Sequence, residues 1–295
     1  MRFIIIILLF SMLLCCTSRT PVFDQERAFR FLLDQCEIGP RAPNSAEIEL
    51  CRQYIINKLK ENNAVVREQD FTIEKDGVIY EGCNILASYF PRMSRRILLG
   101  AHYDTRPWAD RDASDSLRSR PIIGANDAAS GVAILLEISS VLARYEPQQV
   151  GVDLIFFDLE DMGEYGKNET WCLGSQYYAE NYSSALPEKA IIIDMVGDKN
   201  LELYMEYFSY HNAPALTNEI WFTARDLGFR QFKARIGKRI YDDHYPLIQS
   251  GFNAVDIIDF DYEYWHTTED TPDKCSEQSL YVVGQTLLEL IFIEK

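Results

Sequence analysis

Histidine is scarce in this 295-residue chain, with four in all, and no two cysteines stand in a CxxC pair. A zinc-finger module is thereby excluded, and any metal site has to be built from a few imidazoles and from carboxylates. Positive charge is in deficit as well: 29 Lys and Arg stand against 45 Asp and Glu, a formal net charge of −16. Nucleic acid and anionic membrane surfaces attract basic proteins, so neither is an expected partner. Repeats and linker-like stretches are missing from residues 22–295, which read as one domain of globular composition. Also lacking is a run long enough to cross a bilayer. The apolar stretch from Phe3 to Leu14, behind Arg2, is shorter than the ~20 residues a membrane helix needs and has the layout of a secretory signal. Residues 1–16 are therefore left out of the fold.

"LLCC" ahead of Thr17 and Ser18 resembles a bacterial lipoprotein signal, in which Cys16 carries the lipid and becomes the mature N-terminus. The expected location is the periplasm, free or membrane-anchored, with the membrane touched only through Cys16. Five cysteines remain, Cys36, Cys51, Cys83, Cys172 and Cys275. Scattered singles read as buried small hydrophobes, and one disulfide stays open in an oxidising compartment.

Two helical patterns occupy residues 22–62; in the second, Ile48, Cys51, Ile55 and Leu59 recur at three- and four-residue steps. "YEGCNILASYF", "RILLGAHYD", "VDLIFFDLE", "AIIIDMVG" and "NAVDIIDF" are short apolar runs typical of strands. Helix-length patterns separate the later ones, among them "AASGVAILLEISSVLARY" and a C-terminal stripe of Leu280, Val283, Leu287 and Ile291. The alternation predicts an α/β fold: a central, mostly parallel mixed sheet with helices on both faces. "RPWADRDASDSLRSRP", residues 106–121, is the most loop-like segment.

Acids and histidines fall where the strands stop. "GAHYDT" offers His102 and Asp104, "GAND" Asp127, "FFDLED" Glu160 and Asp161, "IIID" Asp194, "YDDHYP" Asp242, Asp243 and His244, and "YWHTTEDT" His266. In a parallel α/β sheet those ends line one edge, where ligands bind. Taken singly, Asp127 reads as a helix N-cap and Asp194 as a solvated loop residue. Taken together, so many carboxylates at one edge repel one another, and a divalent cation relieves that repulsion. Imidazole with carboxylate and no thiolate suits zinc with an open position, hence a catalytic site. The adjacent Glu160 and Asp161 divide naturally into a proton carrier and a metal ligand.

These motifs, in this order, resemble the zinc aminopeptidase-like fold, which has two functional branches: co-catalytic di-zinc aminopeptidases and single-zinc glutaminyl cyclases. Trp265 before His266, the acid pair Asp242-Asp243 before His244, and "WCLGSQYY" resemble the cyclase branch. That resemblance implies a glutaminyl-peptide cyclotransferase acting on the N-termini of peptides or proteins. Asp127, Asp161 and His266 would bind one zinc, Glu160 would carry the proton, and Asp194 and Asp242 would form an acid network. Trp265 would line the pocket, and Trp171 either walls it or packs in the core. His102 and Asp104 would support the acid network. Trp108 is read as a lid residue or a surface anchor. Animal cyclases have two glutamates where this chain has Glu160-Asp161, so the metal would sit closer to its strand. In the aminopeptidase alternative, Asp127 bridges two zincs, His102 and Asp194 complete one, and Asp161 and His266 the other.

Overall fold

The computed structural model describes residues 20–293. The expected signal segment, with Cys16, lies outside the described residues. The chain opens with two helices, α1 (Gln25–Ile38) and α2 (Ala46–Glu61). Each starts on a side-chain cap: Asp24 accepts from the Arg27 N–H at 3.0 Å, and Ser45 from the Ile48 N–H at 3.1 Å. Strands β1 (Val65–Lys75) and β2 (Val78–Tyr89) form a hairpin closed by Asp76 and Gly77, both at positive φ. That pair is the preferred two-residue turn for a twisted hairpin. Hydrophobic patterning does not flag β1, whose residues are mostly polar and, Phe71 apart, exposed or partly buried; the Asp-Gly turn is its signal.

The body follows as β3 (Arg96–His102), α3 (Ala129–Leu142), β4 (Gly151–Phe157), α4 (Leu173–Glu180) and β5 (Lys189–Asp194). A small parallel pair, β6 (Leu203–Met205) and β7 (Phe232–Ile236), brackets α5 (Tyr207–Asn212) and α6 (Pro214–Asp226). The chain then runs through α7 (His244–Gln249) and β8 (Ala254–Ile258) to α8 (Glu277–Phe292). The main sheet has the order β1-β2-β4-β3-β5-β8. Strands β4, β3, β5 and β8 are parallel, and β1 and β2 are antiparallel additions at one edge. This is the mostly parallel mixed sheet expected from the sequence.

Side chains of the central strands alternate between two cores. Ile97, Leu99, Val152, Leu154, Ile191 and Ile193 face a large core shared with α1, α3 and α8. Leu98, Ile155, Phe157, Ala190 and Ile192 face a smaller one under α4 and α7. Both faces are covered, which is why these strands read as unbroken apolar runs. Every residue of α3 is buried. Leu99, fully buried between α3 and the sheet, is a sensitive reporter of this packing. Leu99→Ala is expected to cost about 2–5 kcal/mol of unfolding free energy by denaturant titration.

Candidate active site

The carboxyl ends of β3, β4, β5 and β8 converge on a pocket of about 370 Å³, toward the small end of the range for ligand sites. It is lined by Asp127, Glu160, Asp161, Asp194, Asp242 and His266 among others. The motifs therefore meet, although they are spread over 165 positions from His102 to His266.

Asp127 is not a helix cap. The residue at the α3 N-cap is Ala128, with no side-chain cap bond, and the Asp127 carboxylate turns into the pocket instead. Its oxygens serve two histidines: Oδ1 lies 3.2 Å from His102 Nε2 and Oδ2 lies 3.6 Å from His266 Nε2. His266 Nε2 also stands 3.0 Å from Asp161 Oδ1, and His102 Nε2 stands 3.1 Å from Asp194 Oδ1. Two of the metal-sized trios among the described residues share Asp127: Asp127-Asp161-His266 and His102-Asp127-Asp194.

Hydrogen bonding separates the trios. Asp127 Oδ2 and both oxygens of Asp161 are buried without a hydrogen-bond partner. By contrast, Asp194 Oδ1 is engaged by His102 Nε2 and by the Met195 N–H at 2.7 Å. Buried carboxylate oxygens are costly to leave unpaired. Zinc bound at about 2.0–2.1 Å in a tetrahedron spaces its ligand atoms by about 3.3 Å, and the 3.0 and 3.6 Å separations around His266 straddle that value. The Asp127-Asp161-His266 trio fits zinc.

The supporting residues act on backbone and ring orientation. Asp104 accepts the N–H groups of Glu160 at 3.0 Å and Asp161 at 3.1 Å, clamping the loop that carries both. Asp270 accepts the N–H groups of Asn126 at 2.9 Å and Asp127 at 3.1 Å, and the Tyr262 hydroxyl donates to it at 2.7 Å. Asp110 faces His266 Nδ1 at 3.4 Å, so a carboxylate stands behind the metal-facing imidazole. Buried Arg106 donates to the carbonyls of Asp161 at 2.8 Å and Gly163 at 2.9 Å. Its guanidinium lies between Trp108 and Trp171, 4.8 and 4.7 Å from their rings. Trp108 is thus a packing partner of Arg106. The Cys172 thiol donates to Glu160 Oε1 at 3.3 Å.

Asp110, Asp270, Arg106 and Cys172 have no role in the sequence reading. Asp110 and Arg106 come from the segment read only as a charged loop, and Asp270 lies four residues past His266 inside "YWHTTEDT". Cys172 is buried, as a lone cysteine is expected to be, but it touches Glu160.

Aromatic rings form the wall. Trp171 stacks on His266 with centroids 5.9 Å apart, and Trp265 tilts against it at 4.1 Å. Both tryptophans line the pocket. Gly163 is required here: a Cβ would fall 1.8 Å from the Trp171 ring. Backbone strain gathers at the same place. Of the eight non-glycine residues at positive φ among the described residues, Leu159 precedes Glu160, Met195 follows Asp194, Cys172 follows Trp171, and His266 is itself the fourth. Such conformations cost about 1–3 kcal/mol each and persist where a site over-determines them.

Charge follows the crowding of acids. Burial, then repulsion from Asp161, lifts Asp127 to about 7 in the metal-free site. Glu160 is pushed well above the usual carboxylate range, first by burial and then by Asp161, Asp242 and Asp243, against the pull of His102. Burial opposes charge on His266, but Asp161, Asp110 and Asp127 outweigh it and raise it to about 9. Burial likewise opposes charge on Asp161, and His266 wins, holding that carboxyl below its ordinary value.

Residues 84–291 match the model of peptidase family M28. The chain belongs to this family. M28 proteins are zinc-dependent, and the trio at the pocket floor agrees with that. A glutaminyl cyclase of Bacteroides thetaiotaomicron, solved bound to N-acetylhistamine, is 38% identical with a TM-score of 0.91, covering 94% of this chain and 100% of that one. A leucine aminopeptidase precursor from the same organism is also 38% identical, with a TM-score of 0.90 over 94% of this chain and 99% of that one. The aminopeptidase YwaD of Bacillus subtilis is 23% identical over 273 residues, 86% of this chain; the match spans 54% of that relative's length.

For an M28 site of this kind, zinc uptake must displace protons from Asp127 and His266. Zinc affinity is expected to rise by about tenfold per pH unit between pH 7 and 9, the range in which metal-free His266 still holds a proton. Below pH 7 the slope steepens as Asp127 becomes protonated too. Competition titration against a chelating dye at several pH values checks both slopes.

Proposed function

We propose that this M28 protein is a glutaminyl-peptide cyclotransferase, closing an N-terminal glutamine into pyroglutamate with release of ammonia. The observation that carries the reading is Trp265, packed 4.1 Å from the ring of His266 and walling a small pocket above the Asp127-Asp161-His266 trio. The likeness to the Bacteroides thetaiotaomicron cyclase supports it.

The chemistry supplied by zinc held by Asp127, Asp161 and His266 is polarisation of the glutamine γ-carbonyl. The attacking α-amine belongs to the same residue, so ring closure asks the protein mainly for orientation. Glu160 takes a proton from the amine as the new C–N bond forms and returns it to the amide nitrogen, which leaves as ammonia. Asp242, whose carboxylate comes within 4.8 Å of Glu160 and Cys172, extends the acid network together with Asp194. These neighbours share protons and titrate as a group. Trp265 and Trp171 exclude the water that would hydrolyse the amide. Ammonia release from a glutaminyl dipeptide tests the reading; freeing of the N-terminal residue without ammonia would refute it.

A second reading, a di-zinc aminopeptidase, is favoured by one observation: Asp127 offers one oxygen to each histidine. Elemental analysis separates the two, with one zinc per chain expected for the cyclase. The signal-like N-terminus supports export, with exported peptides or proteins as substrates and a lipid on Cys16. Lipid labelling of the wild type but not of Cys16→Ala checks the anchor.

A further inference from the structure

The pocket floor is dominated by carboxylates, yet its lining includes one Lys or Arg among the described residues, Arg239. This side chain is exposed, in the loop after β7. Its guanidinium carbon lies 4.5 Å from the Tyr207 ring and 5.4 Å from the Phe208 ring, and Phe208 lines the pocket too. Of the cations around it, Lys238 pairs with Asp261 at 2.5 Å and Lys233 with Glu202 at 3.0 Å, whereas Arg235 rests on Tyr204 outside the pocket. Arg239 pairs with no carboxylate among the described residues. A second guanidinium shares this condition. Arg111 lies 4.7 Å from the Trp265 ring and 4.8 Å from the Tyr165 ring, and it donates to the Tyr165 hydroxyl at 2.7 Å. Trp265 and Tyr165 both line the pocket.

In a chain of net charge −16, two arginines fixed on the aromatic walls of the substrate pocket and left without a carboxylate call for an explanation. Stacking occupies the flat faces of a guanidinium and leaves its edge of N–H donors, a fork that matches a carboxylate. Arg239 itself lines the pocket and Arg111 backs two of its lining rings, so the residues that follow an N-terminal glutamine pass these walls. We propose that the site selects glutaminyl substrates with Asp or Glu at the second or third position, with Arg239 as the main carboxylate receptor and Arg111 as an auxiliary one. This rests on the cyclase reading and specifies its substrate class. The contact is solvent-exposed, so each guanidinium is worth about twofold to fivefold in kcat/KM, and less at high salt.

The test compares ammonia release from amidated tetrapeptides Gln-Glu-Ala-Ala, Gln-Ala-Glu-Ala, Gln-Gln-Ala-Ala and Gln-Lys-Ala-Ala at low and high ionic strength. An acidic peptide is expected to exceed the lysine peptide about fivefold in kcat/KM at low salt, and the ratio should shrink as salt rises. Arg239→Gln should cut that ratio twofold to fivefold, Arg239→Lys should retain part of it, and Arg239→Glu should favour the lysine peptide. Arg235→Gln removes the same charge from β7, where Arg235 stacks on Tyr204 at 4.4 Å outside the pocket, and should leave the ratio in place. Turnover of all peptides at one rate, a ratio indifferent to Arg239, or an equal loss in Arg235→Gln would each overturn the proposal alone. Absence of ammonia from every peptide would overturn it together with the cyclase reading.

Discussion

Glu160→Gln should lower ammonia release by about 10²- to 10⁴-fold, the usual contribution of a positioned general acid-base group, while zinc per chain is unchanged. The prediction rests on the division between two adjacent carboxylates. Glu160 lies in the pocket outside the zinc-fitting trio, with the Cys172 thiol on Oε1 and His102 Nδ1 3.9 Å from Oε2. Burial and three neighbouring carboxylates let it hold a proton where an exposed glutamate would not. A glutamine of the same shape keeps the packing and loses the proton transfer. Loss of zinc in this variant would mean that the roles of Glu160 and Asp161 are reversed.

The second large effect belongs to the metal. Zinc added to chelated wild-type protein at about a thousandfold excess over its Kd should stabilise the fold by about 4 kcal/mol. For a domain of this size that corresponds to a rise in Tm of roughly 7 °C. Asp161→Ala should abolish the rise and leave turnover undetectable. Asp161 holds two of the three carboxylate oxygens in these two trios that accept no hydrogen bond, so its removal takes away a principal demand for a cation. Scanning calorimetry with and without zinc reads the difference. An undiminished zinc-dependent Tm in Asp161→Ala would place the metal in the other trio, on His102 and Asp194.

The fold was legible where burial on both sheet faces writes an unbroken apolar run, as in β3, β4, β5 and β8. It was not legible in β1, an edge strand of mostly polar residues in which Phe71 alone is buried. The ligands could be found because a parallel sheet forces strand ends to one edge, so type and position in sequence were enough. What holds the ligands was hidden. Asp270 reaches the Asp127 N–H across 143 residues, and Asp104 reaches the Glu160 N–H across 56. Bonds to backbone groups depend on tertiary proximity and leave no residue pattern. The positive φ of Leu159, Cys172, Met195 and His266 is equally silent, since none is the glycine or asparagine that announces such a conformation. Asp127 misleads when read alone: it sits where an N-cap would be, one residue too early for α3.

This pocket is expected to cyclise glutamine and leave the peptide chain whole. Mass spectrometry of a peptide with N-terminal glutamine, incubated with the zinc-loaded protein, addresses it directly. The expected product retains every residue and has lost one ammonia. A product shortened by its first residue, with free glutamine in solution, would contradict it.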